Sequence, residues 1–183
     1  MAATHPASLA ELVVWIVEDA RVNRRRGGAI LSVVAVVSFR LSQFGSRAAT
    51  RSATVVRLLS LPLVAFSRLL LGCEIPGSLA CGRRLVLAHG GRGVIIVRDA
   101  VLGDDVLMAP YSAVGAAYPT PGAPVIGDGV YIGTHATVLG PVTVGTGAFL
   151  GARALVLRDI EPGAFAVGTP AEVLDAESVA RAA

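Results

Sequence analysis

Between residues 126 and 160 an aliphatic side chain returns every sixth position, at Ile126, Ile132, Val138, Val144, Leu150 and Val156. Four residues after each stands a second small or aliphatic residue: Val130, Ala136, Val142, Ala148, Ala154 and Ile160. Glycine follows most members of the first ladder, as in Ile126-Gly127, Ile132-Gly133, Val144-Gly145 and Leu150-Gly151. A period of six matches neither an amphipathic helix nor a simple alternating strand. It matches short strands joined by tight turns, one apolar side chain per strand turned into a stacked core, with glycine taking a backbone conformation that a Cβ resists. The expected fold is therefore a parallel β-helix. A β-sandwich with evenly spaced turns is the alternative, but a sandwich has no reason to keep a fixed count of six.

The first ladder extends backwards through Ile96, Leu102, Met108 and Val114 once residues 115–125 leave the solenoid as a loop. Ile75, Cys81 and Leu87 are again six apart, and the count slips across His89-Gly90-Gly91-Arg92-Gly93. Residues inserted into a solenoid map to a functional edge. The loop, Gly115 to Pro124, is too rich in proline and glycine for a strand. With 54% apolar but only 5% aromatic residues, the core is built from Val, Leu, Ile and Ala, which suits a narrow solenoid.

The 183 residues divide by texture into a helical region, 1–73, a β-helix, 74–170, and a capping helix or tail, 171–183. Ser8-Leu9-Ala10-Glu11 has the form of a capping box and starts a helix that ends at Gly27-Gly28. A second helix is expected over 29–44, stopping at Gly45. A third, over 53–71, carries Pro62 and stops at Gly72. A polar helix, Ala171 to Arg181, is expected to cap the open end of the core.

Charge is uneven. Residues 1–73 hold nine arginines (21, 24, 25, 26, 40, 47, 51, 57, 68) against Glu11, Glu18 and Asp19. Such a segment faces something anionic. It matches no nucleic-acid recognition motif, so nucleic acid is not the expected partner. The apolar runs Ile30 to Phe39 and Leu58 to Ser67 leave three readings open: a buried hairpin or subunit contact, peripheral attachment to an anionic leaflet, and a membrane span. No signal peptide is read at the amino terminus. Two cysteines, Cys73 and Cys81, make no disulfide framework or metal cluster, so a reducing cytoplasm and no bound metal are expected.

Three histidines are available for chemistry. His5 lies in the terminal segment, and His135 sits in a regular turn as a solvated or cofactor-brushing side chain. His89 stands where the register slips, flanked by glycines that let a ligand approach the backbone. The residues alone leave it open between a catalytic base and a structural histidine.

Glu74-Ile75-Pro76, Leu85-Val86-Leu87-Ala88-His89, Gly93-Val94-Ile95-Ile96, the loop after Gly115, Ile126-Gly127-Asp128-Gly129-Val130-Tyr131-Ile132-Gly133 and Val167-Gly168-Thr169-Pro170-Ala171 together resemble the serine O-acetyltransferase family, hexapeptide acyltransferases with a left-handed β-helix. The match covers residues 74–174 and, more loosely, the helical front, where Glu18-Asp19 and Phe39-Arg40 are similar to its shorter, capsule- and exopolysaccharide-associated members. The resemblance implies acetyl-CoA as co-substrate and a catalytic dyad in which a carboxylate stands fifteen residues before the histidine, here Glu74 and His89. His89 takes the proton of an acceptor hydroxyl as it attacks the thioester and returns a proton to the departing thiolate. Glu74, a longer acid than the family's usual Asp, orients the imidazole. The resemblance places cofactor contacts at Ala116, Thr134 and Ala152, in a groove between subunits of a trimer or of a dimer of trimers.

The acceptor pocket departs from the pattern. Serine-specific members carry an acid before the histidine and an Arg-His pair just before the Pro-x-Ile that follows the loop, where this chain has Ala88 and Gly122-Ala123. Galactoside- and maltose-type members have a His-Pro loop, and Tyr118-Pro119 stands there. The ending Arg181-Ala182-Ala183 lacks the isoleucine that docks a sulfhydrylase, so no such complex is expected. Serine is the acceptor that the resemblance implies. A sugar hydroxyl in capsule or exopolysaccharide synthesis is the alternative, and an inactive scaffold is the reading from another class.

Overall fold

The computed structural model describes residues 4–27, 30–47 and 50–175. Three helices precede the solenoid: α1 (Leu9–Val22), α2 (Ile30–Arg47) and α3 (Arg51–Leu71). Ser8 caps α1 by accepting from the Glu11 N–H, while Glu11 reaches back to the Ala7 N–H, one residue before the cap itself. A single π-helical turn, Asn23–Gly27, continues α1. Thr50 caps α3, which ends on Gly72 in the left-handed conformation. The expected stop at Gly45 is not a stop. That glycine lies inside α2, where a Cβ would come within 2.6 Å of the Arg57 Cβ, so it lets α2 and α3 touch.

The solenoid turns four complete times: β1 (Ala80–Cys81), β2 (Val86–Leu87), β3 (Ile95–Ile96); β4 (Val101–Leu102), β5 (Leu107–Met108), β6 (Ala113–Gly115); β7 (Val125–Ile126), β8 (Tyr131–Ile132), β9 (Thr137–Leu139); and β10 (Thr143–Val144), β11 (Phe149–Leu150), β12 (Leu155–Val156). β13 (Phe165–Val167) and β14 (Glu172–Leu174) follow. The strands form three parallel faces, β1-β4-β7-β10, β2-β5-β8-β11-β13 and β3-β6-β9-β12, with β14 added antiparallel on β13. Residues 172–174 thus pair as a strand where a helix was expected, Ala171 and Asp175 beside them are not helical, and residues 176–181 of that expected helix lie outside the described residues.

Both hexad ladders point inward, from Cys81 and Leu87 to Val156 and Ile160. The glycines after the first ladder do a different job from the expected one. Gly127, Gly133, Gly145 and Gly151 are not left-handed; a Cβ on Gly133 would lie 2.7 Å from the backbone of the next coil. They are small because coils stack closely there. The left-handed positions fall two residues on, at Gly129 and Gly147 on one corner and at His135 and Arg153 on another.

The apolar core runs unbroken from the helices into the coils, with Ala35, Val36 and Phe39 packed against Leu79, Cys81 and Leu87. Burial pushes the thiols of Cys73 and Cys81 up to about 12 and about 11, so both remain neutral core residues. On the corner between the first and second faces, Arg84 grips Asp105 with two bonds of 2.7 Å. These bonds hold the Asp105 carboxyl below its usual range. A lowered folded value contributes stability that is present above about pH 4 and lost as pH falls through it. Arg84→Ala should return Asp105 to the ordinary carboxylate range in an NMR titration. It should cost at most about 1 kcal/mol in urea, since water screens this partly exposed pair.

Candidate active site

In the second, third and fourth coils four residues carry the chain from the second face to the third: 109–112, 133–136 and 151–154. In the first coil residues 88–94 do so, three more than the corner needs. The surplus forms a single 3-10 turn, Ala88–Gly91, and His89 occupies it in the left-handed region at φ 52°, ψ 35°, its side chain exposed. Left-handed backbone costs a non-glycine residue about 1–2 kcal/mol and persists only where the surroundings over-determine it.

The surroundings here come from the helical region. Ser32 Oγ on α2 accepts from the Gly90 N–H at 2.9 Å. Asn23, at the end of α1, accepts from the Leu87 N–H at 2.9 Å and donates to the Leu85 carbonyl at 2.7 Å, filling both backbone valences of the strand that leads to His89. The Gly93 N–H donates to the Leu71 carbonyl at 2.9 Å, and Gly91 rests on Leu87 and Cys73. Asn23 and Ser32 stand more than fifty residues before the turn they hold, and no local sequence signal marks them. Deeper, Arg40 of α2 is fully buried, bonded to Asp19 at 2.6 Å, to Gln43 at 2.8 Å and to the carbonyls of Cys81 and Gly82 in the first coil.

Glu74 reaches the same edge through the backbone. Its N–H donates to the Val94 carbonyl at 2.8 Å and its carbonyl accepts from Ile96 at 3.0 Å, making a first rung beside Ile95. Its exposed side chain makes no hydrogen bond or ion pair with His89 among the described residues. The fold thus sets Glu74 beside β3 and His89 on the corner that leads into β3, the two expected dyad positions, without joining their side chains among the described residues. The Gly90 and Gly93 amides of this turn are already bonded, to Ser32 and to the Leu71 carbonyl, so neither points a free N–H at a tetrahedral oxyanion.

The three expected cofactor positions divide. Thr134 and Ala152 are exposed and stack on consecutive coils at the corner that carries His89, since Ile132 pairs with Leu150. Ala116 lies at the next corner, after β6, at the root of the loop 116–124. There a cleft of about 510 Å³ opens between Ala117, Thr120, Leu139, Pro141 and Arg158. His135 stacks flat on Tyr111, ring centroids 4.9 Å apart and planes within 8°. All three expected positions carry small side chains and are exposed.

The bacterial transferase hexapeptide (six repeats) family matches residues 123–158. A serine acetyltransferase of Mycobacterium tuberculosis is 36% identical over 120 residues, 64% of this chain and 52% of that protein. WcaB of Escherichia coli K12, an acetyltransferase by name assigned to colanic acid biosynthesis, is 30% identical over 164 residues, 86% of this chain and 98% of WcaB. The chain belongs to the serine O-acetyltransferase family. The soybean serine acetyltransferase, solved as apoenzyme and with serine, superposes with a TM-score of 0.75 at 29% and 28% identity, covering 89% of this chain and 69% of the soybean one. The left-handed parallel β-helix behind a helical region is therefore the fold of this serine O-acetyltransferase family member. It spans only about half of the mycobacterial protein, and less of a rice relative.

Proposed function

We propose that the chain is an acetyl-CoA-dependent O-acetyltransferase whose acceptor is L-serine, giving O-acetylserine for cysteine biosynthesis. The observation that carries the reading is His89: exposed, left-handed, and held at the three-residue surplus of the first coil by bonds from α1, α2 and the end of α3. One ring nitrogen of His89 removes the acceptor's hydroxyl proton as its oxygen bonds to the thioester carbonyl carbon. Collapse of the tetrahedral intermediate breaks the carbon–sulfur bond, and the proton passes to the leaving thiolate as CoA thiol. Glu74 accepts from the other ring nitrogen once substrates close the site. Such bonds are often long or poorly aligned in the free enzyme and tighten when substrates bind. Thr134 and Ala152 leave room for the pantetheine arm beside His89, and Ala116 lines its continuation. On this reading the protein works as a homotrimer, alone or paired, in the cytoplasm, with its helical region turned to the inner face of the membrane.

A sugar hydroxyl in capsule or exopolysaccharide synthesis is the second acceptor reading. It is favoured by the near full-length likeness to WcaB and by the buried, apolar Ala88 directly before His89, where no countercharge stands for an amino acid's ammonium. Thiol release from acetyl-CoA, followed with serine, homoserine, nucleotide sugars and oligosaccharides, decides between them. Serine should accelerate release. Acceleration by a saccharide alone transfers the assignment to the second reading. If no acceptor works and calorimetry detects no CoA binding, the chain is an inactive scaffold and the proposal falls.

A further inference from the structure

The third helix is built inside out. Its side towards α2 carries Ala53, Ser60 and Ser67, all at most 3% exposed, while Leu58, Leu59, Leu61, Leu69 and Leu70 face outward at 53–82% exposure. A helix designed to cover a water-soluble core does the reverse. Small residues on both sides let α2 and α3 approach: Gly45 meets Arg57 backbone to backbone, and the Ser38 and Ser67 hydroxyls bond at 2.9 Å. Small contacts, a hydroxyl bridge and leucines outside are how helices pack where the outer solvent is hydrocarbon.

Charge says which apolar medium this is. No Asp or Glu stands between Asp19 and Glu74, and the stretch holds nine arginines, of which Arg51, Arg57 and Arg68 are exposed on α3 itself. Leucines flanked only by arginines complement an anionic lipid surface, whose headgroups meet the guanidiniums while the leucines reach the acyl boundary. By length and composition α3 passes for a membrane span. Its inner face, however, is fixed to α2, and α2 is locked to the first coil by the buried Arg40. The helix can therefore rest on a leaflet but not leave the solenoid to cross one.

We infer that the outward leucine face of α3, with Arg51, Arg57 and Arg68, is a docking surface for anionic phospholipid that holds the solenoid against a membrane. This deepens the membrane contact proposed above and is independent of the transferase reading. The test is flotation of the full-length protein with vesicles of phosphatidylglycerol and phosphatidylcholine, against phosphatidylcholine alone. The protein should float with the anionic vesicles only, and Leu58→Glu/Leu69→Glu should abolish flotation. Each of Arg51→Gln, Arg57→Gln and Arg68→Gln should weaken partitioning roughly fivefold. Thiol release and the circular dichroism melt of the leucine variant should match wild type, which shows an intact fold. The inference is overturned if wild type stays at the bottom with both vesicle types, or if the leucine variant floats as wild type does. It is also overturned if the leucine changes only split a larger assembly on size exclusion, which makes a second copy the occupant. Loss of thiol release in wild type would count against the transferase proposal alone, since flotation does not depend on it.

Discussion

His89→Ala should lower acetyl transfer by about 10²–10⁴-fold, the span that a positioned general base contributes, equivalent to about 3–5 kcal/mol of transition-state stabilisation. The measurement is thiol release at saturating acetyl-CoA, with the acceptor that the panel identifies. Binding of CoA, read by calorimetry, should persist, because His89 acts on the hydroxyl proton and Thr134 and Ala152 do not depend on it. Glu74→Gln should give a smaller fall in kcat with KM for acetyl-CoA unchanged, since the amide still fills the space but no longer favours an imidazolium. Two outcomes would sink the assignment: transfer surviving His89→Ala, or Glu74→Gln raising KM alone. Folding is not in question for either variant, because both side chains are exposed and neither makes a hydrogen bond or ion pair among the described residues.

Much of the architecture was legible in the residues, for a physical reason. A solenoid repeats one coil, so one inward side chain per strand writes its period directly into the sequence, and Ile126 to Val156 all proved to be core. The slip after Leu87 was equally legible, since a three-residue surplus is visible against a fixed count. What could not be read were interactions that the repeat does not govern. The Gly45 stop failed because a glycine's propensity to end a helix is indistinguishable in sequence from its use as a contact between helices, and tertiary packing decided it. Residues 172–174 read as helix because a short polar-apolar run has no firm period, whereas the exposed edge of β13 was there to be paired. Asn23 and Ser32 meet their backbone partners across 64 and 58 residues, a separation at which spacing carries no information.

Removing Arg40 should be the most destabilising single change in the helical region, at about 3–5 kcal/mol, the usual cost of breaking one side of a buried ion pair. The guanidinium is fully buried, and Arg40→Met deletes its bonds to Asp19, Gln43 and the carbonyls of Cys81 and Gly82 together. It also removes the cation that lies 5.0 Å above both Trp15 and Phe39. What it leaves behind is worse than what it takes. Asp19 is fully buried, its Oδ1 makes no hydrogen bond within 3.5 Å among the described residues, and burial pushes its carboxyl above the ordinary range while Arg40, and more weakly the Arg84 and Leu85 amides, pull against that push. Without Arg40 the carboxyl rises further. A folded value above the unfolded one, about 3.9, means that the folded state holds the extra proton in between, so stability is lost as pH rises through that window. Arg40→Met should therefore be more destabilised at pH 7.5 than at pH 5, as read from urea midpoints. Adding Asp19→Leu should restore much of the loss, because an apolar pair leaves no charge without a partner. Because the same cluster bonds the first coil, thiol release by Arg40→Met should fall with the folded fraction and recover in the double variant. Recovery of stability without recovery of activity would mean that Asp19 and Arg40 also set the geometry of the His89 turn.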